Sequence, residues 1–441
     1  MMPGQMKLGV FLMGAGHHIA AWRVPEAPAD AYEDIDFYRR TAQAAEAGKL
    51  DMLFVSDALS LTPLSHPSEL VRFEPTTLVA ALAMLTRRIG LIATVSTTYN
   101  EPYHVARRFA SLDHLSKGRS GWNIVTSYYE QEAANFGLDR HPEHSERYRR
   151  ADEFVRVVRK LWNSWEPDAL VRDKEAGIYF DPGKLHAIEH VGEYYRVRGP
   201  LNASRSVQGE PVLIQAGSSP EGVAFAAKHA EVIFTAQQTL EQAQRFYANV
   251  KALVRSAGRS PDHVHILPGV SPVLGKSAED AQARYQRIQE LIPPDIGLAF
   301  LSDYLGGIDL SRHDLDGPLP DVIPPTNGNQ SRRELIIAMA RAEKLTIRQL
   351  YQRIAGSRGH RMIFGSPREI ADQLEHWFVN GGADGYNLMF PYYPGLLEEF
   401  VEEVVPILQA RGLFRDDYTG STLRDHLGLP VPEPLFQYER R

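Results

Sequence analysis

Cysteine is absent from the 441 residues. That excludes disulfides, thiolate nucleophiles, zinc–cysteine centres and iron–sulfur clusters together. A long apolar run is also missing. Leu8 to Met13 is too short for a signal-peptide core or a membrane span, so a cytoplasmic location without a membrane partner is expected. No long basic stretch occurs, and 55 acidic against 48 basic residues leave a formal net charge of −7. A nucleic-acid partner is therefore not expected. What is present is an ordinary globular composition, 43% hydrophobic, in a chain able to bury a large core. This length admits several domains, and equally one α/β barrel carrying insertions.

Strand-like and helix-like stretches alternate along the chain. Lys7 to Leu12 reads as a first strand and Asp51 to Val55 as a second, with a helical pattern from Asp34 to Gly48 between them. Ile89 to Val95 is the third strand, between helices Pro75 to Leu85 and His104 to Leu115. Gly121 to Val125 is the fourth, followed by a long helix from Pro142 whose apolar residues Ala151, Phe154, Val155, Val158, Leu161 and Trp162 share one face. Pro211 to Gln215, Glu231 to Thr235, His263 to Val270 and Gly385 to Phe390 complete eight strands. The spacing predicts a closed (β/α)8 TIM barrel, residues 1–441 forming one domain. Two insertions are expected, at about 168–210 after strand four and about 276–365 between strands seven and eight. Within the second, Gly306 to Gln330 is dense in Gly, Pro, Asp and Asn and reads as a mobile lid.

In such a barrel the loops at the C-terminal strand ends build the active site. That rule selects His17 and His18, Asp57, Thr94 with Thr97, Asn123 with Ser127, His144 with Tyr148, and Ser218 with Ser219. Asp57 has the alternative of capping a helix, and His144 with Tyr148 that of a satisfied core pair. Ser218-Ser219-Pro220-Glu221 follows a glycine and opens a helix, where free N–H groups and the dipole favour a phosphate. His141 and His144 have H-x-x-H spacing, but Pro142 constrains the turn and no cysteine assists. A metal is not expected there.

Several long stretches resemble a known group. GRSGWNIVTS (Gly118 to Ser127), TTYNEPYHVARRFASLDHLS (Thr97 to Ser116), HPEHSERYRRADEF (His141 to Phe154) and TNGNQSRREL (Thr326 to Leu335) are similar to the nitrilotriacetate monooxygenase and dibenzothiophene-sulfone monooxygenase group of the bacterial luciferase-like superfamily. The resemblance runs over nearly the whole chain. It implies a barrel that takes reduced FMN from a separate NAD(P)H:FMN reductase and uses dioxygen as co-substrate to oxidise a small organic molecule next to nitrogen or sulfur, with C–N or C–S cleavage.

Carried onto this sequence, the family's flavin contacts fall on Asp57, Thr94, His144, Tyr148 and Ser218, with Asn123 facing the ring system and Ser219 sharing the phosphate. His17, His18 and Ser127 are expected beside the oxygen-reactive centre or the substrate. Phe11 is expected at the mouth, and Arg332 and Arg333, just after the lid, closing over an anionic substrate. The resemblance further implies a homo-oligomer, dimer or tetramer. A deazaflavin-dependent oxidoreductase of the same superfamily and a non-catalytic flavin-binding protein are the alternatives.

Overall fold

The computed structural model describes residues 4–61, 67–327 and 330–434. Eight parallel strands close into a ring: β1 (Lys7–Leu12), β2 (Met52–Val55), β3 (Gly90–Ser96), β4 (Ser120–Val125), β5 (Val212–Gln215), β6 (Val232–Thr235), β7 (His265–Leu274) and β8 (Gly385–Leu388). The ring is sealed by β1 against β8, with Lys7 opposite Gly385 and Val10 opposite Leu388. The expected barrel and its two insertions are present. Strand β7 is longer than the sequence indicates, reaching Leu274 rather than Val270.

Its extra length has a partner that the sequence reading missed. Arg361–Gly365 forms a ninth strand, parallel to β7, with Arg361 opposite Val270 and Gly365 opposite Leu274. Because Val270 also pairs with Leu388 of β8, the added strand lies on the opposite side of β7, continuing where β6 stops at Thr235.

Around the ring lie α1 (Ile35–Ala47), α2 (Pro75–Leu85), α3 (Pro102–Ser116), α4 (His144–Trp162), α5 (Pro220–His229) and α6 (Leu240–Ser256). Local chemistry sets their ends. Asp34 caps α1 by accepting from Asp36 N–H, and Ser219 caps α5 by accepting from Gly222 N–H. Helix α4 buries the predicted face from Ala151 to Trp162. Strand alternation sends Trp122 outward between Phe109 of α3 and Phe154 and Trp162 of α4, with ring centroids 5.7 to 6.3 Å apart. Its indole N–H donates to Val95 O at 3.0 Å. The alternate residue Asn123 therefore faces the other way, into the barrel.

The barrel interior is stoppered from below by the C-terminal segment. Leu423, Leu427 and Leu429 join Val212, Val232 and Leu267 in one apolar cluster. Polar contacts fix this plug: Arg424 is bidentate to Glu231 at 2.7 and 3.1 Å, Arg415 pairs with the buried Asp51, and Lys7 Nζ donates to His426 O.

Between β7 and β8 come α7 (Ala278–Gln289), α8 (Pro294–Tyr304), α9 (Gln330–Ala342), α10 (Ile347–Ala355), the ninth strand and α11 (Pro367–Val379). The last begins with the expected capping box at Ser366 and Glu369. Helices α8 to α10 have their own apolar core, including Leu301, Ile336, Leu350 and Ile354, which also receives Ile19 from the loop after β1. Two residues of the predicted lid, Gly328 and Asn329, lie outside the described residues. The described part is tied down through backbone carbonyls: Arg333 donates to Ile323 O and Pro324 O, and Arg147 of α4 donates to Asn327 O. Among the described residues no helix is long and apolar enough to cross a membrane.

Candidate active site

Thr126 to Tyr128 after β4, Gln215 to Ser219 after β5 and Thr235 to Gln237 after β6 converge on a cavity of about 540 Å³. Helix α4 supplies His144, Arg147 and Tyr148, and the first turn of α9 with His360 forms the outer wall. A larger hollow of about 790 Å³ lies on the outer side of α3 and carries none of the residues singled out above.

The floor of the first cavity is the start of α5. Ser219 Oγ accepts from Gly222 N–H at 3.1 Å and lies 3.4 Å from His144 Nε2. Ser218 Oγ is 3.4 Å from Thr235 Oγ1. Gly217 makes the room: a Cβ there would lie 2.4 Å from Gln215 Nε2 and 2.8 Å from the Tyr148 hydroxyl. His144 stacks edge-on against Tyr148 with centroids 5.1 Å apart. Burial, then the Arg147 guanidinium, hold the His144 imidazole below its usual range. The helix N-terminus and the two hydroxyls give this end an anion-binding character, which it shares with Glu221 of the same turn, whose carboxylate lies 3.8 Å from His144 Nδ1.

Thr94, Asn123 and Asp57 do not line this cavity; Thr94 and Asn123 form a buried polar pair across β3 and β4. Thr94 Oγ1 donates to Val55 O at 2.7 Å and accepts from Asn123 Nδ2 at 2.9 Å. These bonds orient the amide, and Asn123 Oδ1 has no protein partner although Asn123 is buried. An orphaned acceptor of this kind calls for a donor from outside the chain. Ser127 pairs with Ser96 through their hydroxyls at 2.8 Å and has a left-handed backbone, φ 59°. Asp57 sits in the loop after β2, accepts from Ala58 N–H, and is pushed up to about 7 chiefly by burial.

The remaining predicted residues are placed differently. His17 is fully buried, donates from Nε2 to Phe11 O at 2.7 Å, and does not line the cavity. Burial holds its imidazole down at about 3, so it is neutral at ordinary pH. His18 turns the other way, accepting from Ala20 N–H with Nδ1. Phe11 is in the interior of the barrel, edge-on to Phe54 and Phe234, instead of at a mouth. Arg333 does not line the cavity because its guanidinium is spent on the lid carbonyls; Arg332 does line it. The histidines of the H-x-x-H stretch diverge, His141 Nδ1 accepting from Tyr99 OH at 2.6 Å and His144 facing Ser219.

Arg147, Gln215 and His360 are among the wall residues not singled out from the sequence. Arg147 is one helical turn beyond His144 on α4, a spacing that could have revealed it. Gln215 is the polar end of an apolar strand, a signal available at β5 as at β4. His360 precedes the unrecognised ninth strand, and nothing in the local pattern marks it. It stacks on Phe234 at 4.8 Å and 10°, in space left by Gly269, where a Cβ would lie 2.2 Å from its Nδ1.

The family model for luciferase-like monooxygenases matches residues 6–385. An N-acetyl-S-(2-succino)cysteine monooxygenase of Bacillus subtilis (strain 168) is 54% identical over 429 residues, 97% of each chain. Nitrilotriacetate monooxygenase component A of Aminobacter aminovorans is 50% identical, again over 97% of each. A crystal structure of riboflavin lyase with modified FMN and riboflavin superposes with a TM-score of 0.87 at 34% identity, covering 97% of both chains. The chain belongs to the luciferase-like family of flavin-dependent monooxygenases.

Proposed function

We propose that this chain is the oxygenase component of a two-component system, taking FMNH2 from a separate NAD(P)H:FMN reductase and using dioxygen to oxidise a small organic substrate next to sulfur or nitrogen. The observation that carries the reading is the cavity at the strand ends, with an anion-binding helix start at one end and an orphaned amide acceptor on β4. These residues fit FMN. Ser218, Ser219 and the Glu221 N–H would hold the phosphate, since Pro220 has no N–H and that of Gly222 goes to Ser219 Oγ; His144 and Tyr148 would form the side wall. Asn123 Oδ1, oriented by Thr94 and without a protein partner, would be available to accept a hydrogen bond from the flavin, and Asp57 follows β2. When bound, reduced FMN supplies the electrons and the site of dioxygen activation.

The protein's part is exclusion and orientation. The first turn of α9, Gln330 to Arg332, closes the outer side of the cavity and would limit the entry of water. Ser127, which lines the cavity, would keep the oxygen-reactive end polar but uncharged. One oxygen atom enters the substrate at carbon next to sulfur or nitrogen; the other leaves as water. The hydroxylated carbon then releases a thiol or amine and becomes a carbonyl. The relatives' names, one a thioether and one a tertiary amine bearing carboxylates, favour that chemistry. "Component A" in the second name favours a separate reductase.

A titration of the protein with FMN tests the site. Ser218→Asp places a carboxylate beside the phosphate and is expected to weaken binding at least about tenfold by charge repulsion. Equal affinity for both proteins moves the phosphate elsewhere.

A further inference from the structure

The hollow on the outer side of α3 is larger than the cavity at the strand ends, about 790 against about 540 Å³, and is of a size that takes a nucleotide-sized molecule. Part of its lining is apolar. Phe136 and Leu138 flank Gly137, where a φ of 72° turns the chain, and they remain 44% and 39% exposed. Phe136 lies on Tyr99 with ring centroids 4.5 Å apart and planes at 14°. A further aromatic ring placed on Phe136 would continue that stack.

The rest of the lining is dominated by cations. Arg107 and Arg108 of α3 and Arg150 of α4 all face this space. Arg108 donates to Asn100 Oδ1, and Arg150 donates from Nε to the Tyr195 hydroxyl at 2.7 Å, both neutral acceptors. Among the described residues of the wall, Glu101 is the one carboxylate. Glu74 also acts on Arg108, from the start of α2, where it accepts from Thr76 Oγ1 and Thr77 N–H. Burial disfavours the Arg108 charge by more than Glu74 restores. Three guanidiniums against two carboxylates leave this hollow positive on a chain whose net charge is −7.

The hollow also shares a wall with the cavity. Thr98, which lines the hollow, donates from Oγ1 to the carbonyl of Thr126, which lines the cavity, at 2.7 Å. Thr98 N–H donates to Ser96 Oγ, which pairs with Ser127. The Tyr99 hydroxyl donates to His141 Nδ1 at 2.6 Å.

We propose that this hollow is a second ligand site, taking an aromatic ring system that carries a phosphate, as in a mononucleotide. The ring stacks on Phe136 beside Leu138, and the phosphate is held by the guanidiniums, whose planar forks match its oxygens. None of the residues assigned to the flavin lines the hollow, so the site stands apart from that reading.

The test is calorimetric titration of AMP, adenosine and inorganic phosphate into the full chain, with and without excess FMN. AMP is expected to bind once per chain in both conditions, about tenfold or more tighter than adenosine, which lacks the charge, and than phosphate, which lacks the ring. Arg107→Gln should weaken AMP binding about tenfold, the usual effect of losing a charge-assisted bond. Leu138→Glu sets a carboxylate in the hollow and should weaken it further. Both side chains are exposed, and FMN affinity should stay at the wild-type value in both variants. Absence of saturable AMP binding at millimolar concentration overturns the proposal. So does equal affinity for AMP and adenosine, or AMP affinity unchanged in either variant. Displacement of AMP by FMN would assign it to the cavity at Ser218 and overturn the proposal as well.

Discussion

Asp57, partly buried after β2, and His17, fully buried after β1, give stability opposite dependences on pH. The Asp57 carboxyl is raised from 3.8 to about 7, chiefly by burial. Between those values the folded chain keeps a proton that the unfolded chain has lost, so this group's contribution falls as pH rises through that window. His17 is lowered to about 3 by burial, so the unfolded chain takes the proton first, and stability is lost as pH falls below about 6.5. Asp57→Asn removes only the first effect. Melting temperatures measured from about pH 5 to about pH 8 should show the variant gaining on wild type as pH rises. A constant difference would show that the carboxyl is not held protonated. At this scale the polar residues following apolar strands at Ser127 and Ser218 do line the cavity, whereas Asn123 lies within β4 and does not. The sequence was silent on direction. His17 and Phe11 read as mouth residues, yet the chain turns at Gly16, where φ is 149°, and folds the imidazole down onto the Phe11 carbonyl. Which way a loop side chain turns is fixed by tertiary packing that no spacing encodes.

The elements were more legible than the residues. Amphipathic α4 declared itself through Ala151 to Trp162, and α11 through Ser366-Pro367-Arg368-Glu369. The ninth strand was not, because Arg361–Gly365 carries only three consecutive apolar residues inside a helical insertion and depends on the upper half of β7 for its pairing. The C-terminal plug gave no periodic signal either, since a single short helix, Leu423–Leu427, contributes its leucines to a barrel built by other segments. Its role is open to measurement. Leu427 is 1% exposed in the interior cluster, so Leu427→Ala should cost about 2–5 kcal/mol in urea unfolding. Because the plug lies at the opposite end of the barrel from the cavity, FMN affinity of the folded variant should stay at the wild-type value. A loss below about 0.5 kcal/mol would mean that the segment merely covers the barrel without filling it.

Over the whole molecule, eight strands were visible from their alternation with helices, and their closure follows from the pairing of β1 with β8. Closure places every cavity-lining strand end on one rim, so residues far apart in sequence, such as Thr126, Ser218 and His360, share one space. The insertion between β7 and β8 adds the wall that bears Arg332, while the barrel supplies the floor at α5. On the proposed reading the barrel would hold the cofactor, and the insertion closes one side of the same cavity. The most direct test of the account is the stoichiometry of turnover with FMNH2, heavy-oxygen-labelled dioxygen and whichever of a panel of small thioethers supports the fastest dioxygen uptake. The account predicts one thiol released for each dioxygen consumed, with labelled oxygen in the trapped carbonyl product. Consumption of dioxygen that yields only hydrogen peroxide, with no thiol and no labelled product, would contradict it.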